Sequence, residues 1–252
     1  MAVDIPSVLK RGYETTLSPN GVVFVGVFYL LALLSGAITI GPTRDVMAPD
    51  GAGPPGMGGM PFAGAGMRPF APSLGLSPIV AAGLSVVLSI VSIVVTIGAL
   101  RTFVTDPFGD LSGTVFSRNI LWAAINMIVG GIVFGIVVAI GLVLLIVPGL
   151  FLLVSLFFWN VFVVVEDTSF IEGFRRSWEL TAGNRLSLFG VGIIVALIGL
   201  FVSIVLGLPG LFLPDIVGFL LAQLGSAVVS VFTFATVAAA YNALDGGTAS
   251  RL

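Results

Sequence analysis

The sequence predicts an all-α protein: a polytopic membrane helix bundle with six transmembrane helices and cytoplasmic interfacial helices. Three observations predict this fold. The 252 residues are 58% hydrophobic and 9% charged, with a mean hydropathy of +1.19, whereas a soluble domain needs roughly 25% charged residues to cover its surface. Six apolar runs are each long enough to cross a hydrocarbon layer of about 30 Å, which takes about 20 helical residues. The basic residues between these runs collect on one side of that layer.

The boundaries of the six spans follow from the apolar runs. The run from 119 to 165 is too long for one span, and Val147-Pro148-Gly149 divides it, because proline is tolerated at a helix start but breaks a helix interior. The fourth span is short but rich in Leu, Val and Phe, which favour insertion. The predicted spans are 21–41, 78–100, 119–145, 148–165, 186–208 and 215–241.

The distribution of basic residues predicts the orientation. With the N-terminus inside, the outer segments hold only Arg44 and Arg68. The inner segments hold Lys10, Arg11, Arg101, Arg118, Arg175, Arg176, Arg185 and Arg251. Short cytoplasmic loops carry such an excess of Lys and Arg, so we expect a multi-pass protein of the cell membrane with both termini in the cytoplasm.

The membrane domain is predicted to occupy residues 21–245, between an amphipathic cytoplasmic segment at 1–20 and a cytoplasmic tail at 246–252. One long outer loop, 42–77, joins the first two spans and is rich in Gly, Pro and Met. Fourteen of the 27 residues between positions 49 and 75 are Gly or Pro, which disfavours helix and strand alike. We expect a flexible segment there.

Two short matches indicate an internal repeat. The first is basic-Arg-small-aromatic-Glu-x-Thr, which occurs at 10–16 as Lys-Arg-Gly-Tyr-Glu-Thr-Thr and at 175–181 as Arg-Arg-Ser-Trp-Glu-Leu-Thr. The second is Pro-Gly-Leu-Phe-Leu, at 148–152 and 209–213. Together they predict a unit of cytoplasmic helix, span, outer turn and span, whose middle copy around 102–118 lacks the aromatic-Glu element. Chance similarity is the alternative.

The later copy is typical of an interfacial helix over 168–183. Ser169 and Glu172 form a capping box, and Gly183 stands where a C-terminal cap belongs. Aromatic residues and Thr181 share one face, which predicts contact with the headgroup region. The candidate residues of this helix are Phe170, Phe174, Arg175, Arg176, Trp178 and Glu179. It serves either as a membrane-surface anchor or as a gate, coupling helix or partner dock.

The composition excludes most catalytic chemistry. The chain has no cysteine and no histidine, so catalysis by Ser-His-Asp or Cys-His groups and most zinc sites are excluded. The span centres carry no charged residue, which argues against a proton relay. We therefore expect no enzyme activity, no catalytic residue, no cofactor and no metal site. The expected partners are the lipid bilayer and a membrane protein or a second copy, and no basic stripe indicates nucleic acid.

Polar side chains within the spans allow two interpretations. One is a polar path between spans two and six, and the other is close helix packing with hydrogen bonds across the contact. Hydroxyl groups recur on one face of span two and on one face of span six, at helical spacing. The candidate residues are Ser85, Ser89, Ser92, Thr96, Asn126, Asn160, Gln223, Ser226, Ser230 and Thr233.

The stretch from Pro148 to Arg185 carries a resemblance. Pro148-Gly149, a span that ends in Val-Glu-Asp at 165–167, and Ser-Trp-Glu-Leu-Thr-x-Gly-Asn at 177–184 resemble the membrane domain found beside glycerophosphodiester phosphodiesterases. The stretch also resembles YciC-like proteins and uncharacterised haloarchaeal membrane proteins. The resemblance implies an all-helical membrane domain of unknown activity, with no catalytic residues to carry over. A single lysine against nine arginines likewise favours a halophilic source.

These observations lead to two hypotheses of function. The first is a non-catalytic integral membrane protein that acts in envelope maintenance, as a scaffold or as a partner subunit. The second is a permease, lipid transporter or channel component that uses the polar path between spans two and six.

Overall fold

The structure, a computed structural model, describes residues 4–47, 74–111 and 113–249. Ten α-helices and no strand occur in these ranges. The helices are α1 (Ile5–Thr16), α2 (Pro19–Met47), α3 (Pro78–Thr105), α4 (Thr114–Ser117), α5 (Ile120–Leu144), α6 (Ile146–Ser155), α7 (Trp159–Val165), α8 (Phe170–Thr181), α9 (Arg185–Gly207) and α10 (Asp215–Ala249). Most of the predicted outer loop, 42–77, lies outside the described residues.

The predicted fold class is confirmed. Six helical segments of the described chain are long and apolar enough to cross a membrane: Pro19–Ile38, Pro78–Thr105, Ile120–Leu144, Ile146–Val165, Arg185–Gly210 and Ile216–Gly246. Their large apolar side chains face outward, as Ile79 and Leu121 show with 86% and 72% exposure. Water would penalise this surface, whereas lipid does not. The helix of the sixth span, α10, continues to Ala249, so the first residues of the predicted tail, 246–252, are helical.

The described residues form two compact units, each with its own interior. The first unit comprises the chain up to Phe24, Ile93–Leu197, and the chain from Ser230 onward. Its main core gathers buried residues of α1, α6, α7, α9 and α10 around Phe158. The second unit comprises Val25–Ser92 and Ile198–Val229. In that unit α10 packs directly against Gly36 of α2. A Cβ on Gly36 would lie 2.7 Å from the ring of Phe219 and 3.1 Å from the side-chain amide of Gln223.

The sequence predicts one continuous helix for the fourth span, but the structure shows two. It breaks between Ser155, where α6 ends, and Trp159, where α7 begins. Ser155 and Phe158 are fully buried there, so the backbone groups that the break releases need partners. Ser177 of α8 donates its hydroxyl proton to the Ser155 carbonyl at 3.0 Å and accepts the Phe158 N–H at 3.0 Å. Thr181 of α8 donates to the same carbonyl at 3.2 Å.

Helices α1 and α8 correspond position by position. Each has 12 residues, and each α8 position is the α1 position plus 165. In both helices the position of the small residue and that of the final threonine are buried. Both helices carry an ion pair at the same exposed positions, Lys10 with Glu14 at 3.8 Å and Arg175 with Glu179 at 3.3 Å. The two helices therefore present the same buried face and the same exposed face.

Helix α1 packs on α10 as closely as α8 packs on α7. A Cβ on Gly12 would lie 2.3 Å from the hydroxyl of Thr236 in α10. A Cβ on Gly173 would lie 2.8 Å from the carbonyl oxygen of Trp159 in α7. Only glycine permits this approach at either position, because any side chain would overlap the neighbouring helix.

The hairpin of spans three and four turns on one residue, Leu145, whose backbone is extended. Gly141 and Gly149 let the two helices touch, since a Cβ on Gly141 would lie 2.9 Å from the Gly149 Cα. In the other unit, a Cβ on Gly218 would lie 2.6 Å from the Cα of Gly210. Each Pro-Gly-Leu-Phe-Leu segment therefore supplies the glycine of a close contact near the turn between two spans.

Replacing Ser177 with Ala should destabilise the fold, because it leaves the buried Phe158 N–H without its partner. The free energy of unfolding, measured in mixed detergent micelles, should fall by about 1–3 kcal/mol. Ser89→Ala is the matched control: its hydroxyl is exposed and bonds to the Ser85 carbonyl of its own helix. Its effect should stay within about 0.5 kcal/mol. Equal effects of the two substitutions would show that the break does not depend on α8.

The ends of spans three and four beside their turn should lie against hydrocarbon, because their side chains are apolar and outward, with Val143 exposed by 87% and Val147 by 75%. The chain has no native cysteine, so single-cysteine variants can report its environment. Val143→Cys in native membranes should react with a lipid-soluble maleimide and resist a charged one applied to both faces. Ser77→Cys, exposed at the start of α3, is the control that the charged reagent should label. Rapid labelling of Val143→Cys by the charged reagent would place this end of span three in water.

Candidate functional site

Two adjacent carboxylates follow the fourth span, and their side chains diverge. Glu166 is the C-cap of α7, and Asp167 takes a left-handed conformation with φ at +55°. Aspartate tolerates this conformation better than most residues do. The change of direction sends Glu166 toward α8 and α10, and Asp167 toward α3 and the segment before α5. The charged cluster is defined here as these two acids with Arg101, Arg118, Glu172, Arg176 and Tyr241.

The Asp167 side of the charged cluster depends on Arg101, which lies near the end of α3 and is 6% exposed. Its Nη2 atom donates to Asp167 Oδ1 at 2.9 Å. Its Nε donates to the Val164 carbonyl at 2.7 Å, and Nη1 donates to the carbonyls of Val115 at 3.0 Å and Arg118 at 2.6 Å. One guanidinium thereby holds together the end of the fourth span and the short helix α4, whose carbonyls have few helical partners.

A second arginine shares the same carboxylate. Arg118 Nε lies 2.8 Å from Asp167 Oδ2, in an ion pair without hydrogen-bond geometry, since Oδ2 has no hydrogen-bond partner among the described residues. The Arg118 side chain is 66% exposed, whereas that of Arg101 is 7% exposed. An exposed ion pair contributes little to stability, while a buried charge without its partner is costly. Arg101 is therefore the structural member of the pair.

The Glu166 side of the charged cluster joins three helices. Arg176 of α8 pairs with Glu166 and, at 3.2 Å, with Glu172 one turn earlier in its own helix. Tyr241 of α10 donates its hydroxyl proton to Glu166 Oε1 at 2.8 Å. The Glu166 carboxylate raises the pKa of the Arg176 guanidinium, so this arginine stays charged throughout the physiological range.

The first residue of α8 is hydrogen-bonded to α5, the helix of the third span. Asn126 of α5 accepts the backbone N–H of Phe170 at 3.0 Å and donates to the Trp122 carbonyl at 3.0 Å. Trp122 in turn donates its indole N–H to the Asp167 carbonyl at 3.3 Å. The capping serine of α8, Ser169, accepts the Glu172 N–H at 3.3 Å. Asn126 thus anchors the start of α8 within its own unit.

The aromatic residues predicted for the interfacial helix pack largely on protein. Phe174 lies edge-on to Trp159 with ring centroids 5.4 Å apart, and Phe170 follows at 5.9 Å from Phe174. Trp178 remains 41% exposed and, with Phe151, encloses the guanidinium of Arg185. The carbon of that guanidinium lies 4.5 Å from one ring centroid and 4.6 Å from the other. Arginine stacks favourably on such faces, which fixes the start of α9 beside α8.

The residues of the predicted polar path are divided between the two units. Ser85, Ser89, Ser92, Gln223 and Ser226 belong to one, and Thr96, Asn126, Asn160, Ser230 and Thr233 to the other. The hydroxyls of Ser85 and Ser89 each donate to the carbonyl four residues earlier, at 2.8 Å. Asn160 accepts the N–H of Val161 at 2.9 Å. These bonds serve individual helices, and the path itself stays a prediction.

A cleft of about 290 Å³ lies beside the Asp167 side of the charged cluster. It is lined by the end of α3, the segment that follows it, α4 and the last residue of α7. The lining residues are Arg101, Thr102, Thr105, Asp106, Asp110, Thr114, Val115, Arg118 and Val165. Three hydroxyls, two carboxylates and two guanidiniums therefore meet at one opening. No group of three or more metal-ligating side chains occurs in the described part of the chain.

One protein family matches nearly the whole chain. Its model, described as "Domain of unknown function (DUF7847)", covers residues 3–244. The chain belongs to this family. No curated protein and no solved structure matches it. The family description names no activity, so the resemblance of residues 148–185 to the phosphodiesterase-associated membrane domain and to YciC-like proteins stays a prediction.

Sequence reasoning about this member of the DUF7847 family missed the cleft and the role of Arg101. Arg101 contributes to the count of basic residues, but nothing in the sequence shows that its side chain turns inward. A partial signal exists at 165–167, where two carboxylates follow an apolar span. A buried acid requires a partner, and in the structure the partners are the arginines at 101, 118 and 176. Which arginine meets which acid depends on tertiary contacts.

Replacing Arg101 with Gln should destabilise the protein by about 3–5 kcal/mol, because it leaves the carboxylate of Asp167 with one exposed partner and frees three carbonyls, of which that of Val164 is buried. Arg118→Gln, which removes the same charge from a side chain that is 66% exposed, should cost about 1 kcal/mol or less. Unfolding in mixed micelles, with the two variants side by side, measures the difference. Similar losses for both variants would contradict the structural role assigned to Arg101.

Proposed function

We propose that this protein is a non-catalytic multi-pass protein of the cell membrane that acts in envelope maintenance, as a scaffold or as a partner subunit. One observation carries the proposal: the charged groups of the charged cluster are engaged with one another and with helix ends. Arg101 holds four groups, Glu166 has partners on two helices, and Asp167 is shared by two arginines. Groups committed in this way position helices and are not poised to attack or to relay protons.

The orientation forms part of the proposal: both termini lie in the cytoplasm. It is supported by the excess of Lys and Arg in the inner segments. A second support is the charged cluster. Arg101 near the end of α3, Arg176 of α8 and Tyr241 of α10 all meet the two acids that follow the fourth span. If the spans cross a bilayer, helix ends that meet in this way belong on the same side of it.

The exposed faces of α1 and α8 support a role at the membrane surface. Tyr13 is 60% exposed and Trp178 is 41% exposed, at corresponding positions of the two helices. Each aromatic side chain lies next to an ion pair between residues four positions apart, Lys10 with Glu14 in α1 and Arg175 with Glu179 in α8. Such helices lie at the headgroup boundary, where the rings reach the acyl chains and the charges stay in water. We infer that α1 and α8 anchor the cytoplasmic side and present an outward face to a partner.

The proposal predicts contact with another polypeptide at this outward face. A photo-reactive benzophenone residue placed at Tyr13 or at Ile171, which is 67% exposed, should give an intermolecular adduct of constant mass in native membranes. The same residue placed at Phe158, which is fully buried, is the control and should give none. In parallel, liposomes that contain the purified protein should move solutes and phospholipids no faster than protein-free liposomes.

Two results would contradict the proposal. One is the absence of a discrete intermolecular adduct at both exposed positions. The other is movement of a defined solute or lipid that falls when Gln223 is replaced by Leu, which would favour the permease or lipid-transporter hypothesis instead.

A further inference from the structure

Helix α8 shows how a cytoplasmic helix closes the end of a span in this protein. Its buried hydroxyls meet the fourth span, and its Arg176 pairs with Glu166, the acid that directly follows that span. Helix α1 lies against the sixth span through Gly12 and Thr236, at the corresponding position of the helix. The predicted repeat places a third such helix between the second and third spans.

At this third place the helix is short. Only α4, with four residues, precedes the third span, and the described residues before it, 106–111 and 113, are not helical where α8 has its earlier turns. Asn119 after α4 and Gly183 after α8 both have positive φ, at 43° and 82°, directly before the next span. This correspondence aligns α4 with the last turn of α8. The cleft of about 290 Å³ lies beside residues that replace the missing turns.

The acid that follows the second span, Asp106, has no counterpart of Arg176. Neither Asp106 nor Asp110 forms an ion pair with any described residue. Asp106 Oδ1 accepts the N–H groups of Phe108 at 3.3 Å and Gly109 at 2.9 Å, which leaves its other oxygen for a ligand.

The charges of the cleft favour a cationic ligand. The lining holds two guanidiniums and two carboxylates. Both guanidiniums, Arg101 and Arg118, are paired with Asp167, which is not part of the lining. Asp106 and Asp110 are therefore the carboxylates left for a cationic ligand. Thr102 and Thr105 donate their hydroxyl protons to carbonyls of α3, at 2.9 Å and 2.7 Å. Their oxygen atoms can therefore accept hydrogen bonds from a guanidinium or ammonium group.

We propose that this cleft is the docking site for an amphipathic helix of a partner protein. The partner helix lays a basic side chain between Asp106 and Asp110 and covers the end of the second span, as α8 covers the end of the fourth. The volume accepts side chains of such a helix, while its backbone lies across the opening. This inference rests on the proposed role as a partner subunit and names the chemistry of the partner: a basic pair followed by small and aromatic residues at the spacing found in α8.

A synthetic peptide with the sequence of residues 169–184, which contains Arg175 and Arg176, is the probe. With the full-length protein in nanodiscs, and with empty nanodiscs subtracted, the peptide should bind at one copy per protein, and binding should weaken as salt rises. The double variant Asp106→Asn with Asp110→Asn should bind at least tenfold more weakly. Asp4→Asn, which removes one exposed carboxylate at the start of α1, is the control and should bind like the unchanged protein.

A second arm needs no protein variant and so keeps the test decisive if the double variant does not fold. A peptide in which both arginines are replaced by Gln should lose at least tenfold in affinity for the unchanged protein. Equal binding of the two peptides, equal binding by the double variant, or no binding above empty nanodiscs would overturn the docking site. Adducts at Tyr13 or Ile171 with no peptide binding would reject the cleft and leave the proposed function standing.

Discussion

The fold depends on how backbone groups are satisfied where the fourth span breaks. In a protein surrounded by hydrocarbon, water is not at hand to bond a free carbonyl or N–H, so each such group needs a partner within the protein. Ser177 and Thr181 of α8 supply these partners. The position of α8 follows from this need, and with it the place of Arg176 and the start of α9.

The charged cluster extends the same principle from backbone groups to charges. An acid at the end of an apolar span is stabilised only when a cation or a hydrogen-bond donor meets it. Glu166 and Asp167 meet that need on two sides at once, because the left-handed backbone of Asp167 separates their directions. The result is a set of helix ends fixed to one another, with α4 and the cleft at its border. The cluster therefore fixes the architecture, and the cleft is what it leaves exposed.

The ends of the spans could be predicted from the sequence more closely than their interiors. The observed bounds of the third and fifth spans, Ile120–Leu144 and Arg185–Gly207, lie within about two residues of the prediction, because lipid selects length and hydropathy. The break at Ser155 could not be predicted, since no Gly or Pro marks it and its cause lies about 20 residues further on, in α8. The same reasoning applies to Asn126, which looked like a polar group inside a span and proved to anchor Phe170.

The sequence by itself determined that the chain is an all-helical membrane protein with six spans, and it marked α8 by its cap and its charges. These features depend on local composition and on the thickness of the lipid layer, which act on each segment separately. Only the tertiary structure decided that Arg101 turns inward to Asp167, that α1 and α8 share one packing mode, and that the cleft opens beside α4. Those features depend on which distant groups meet, and a buried charge or carbonyl takes whichever partner the packing brings within hydrogen-bond distance.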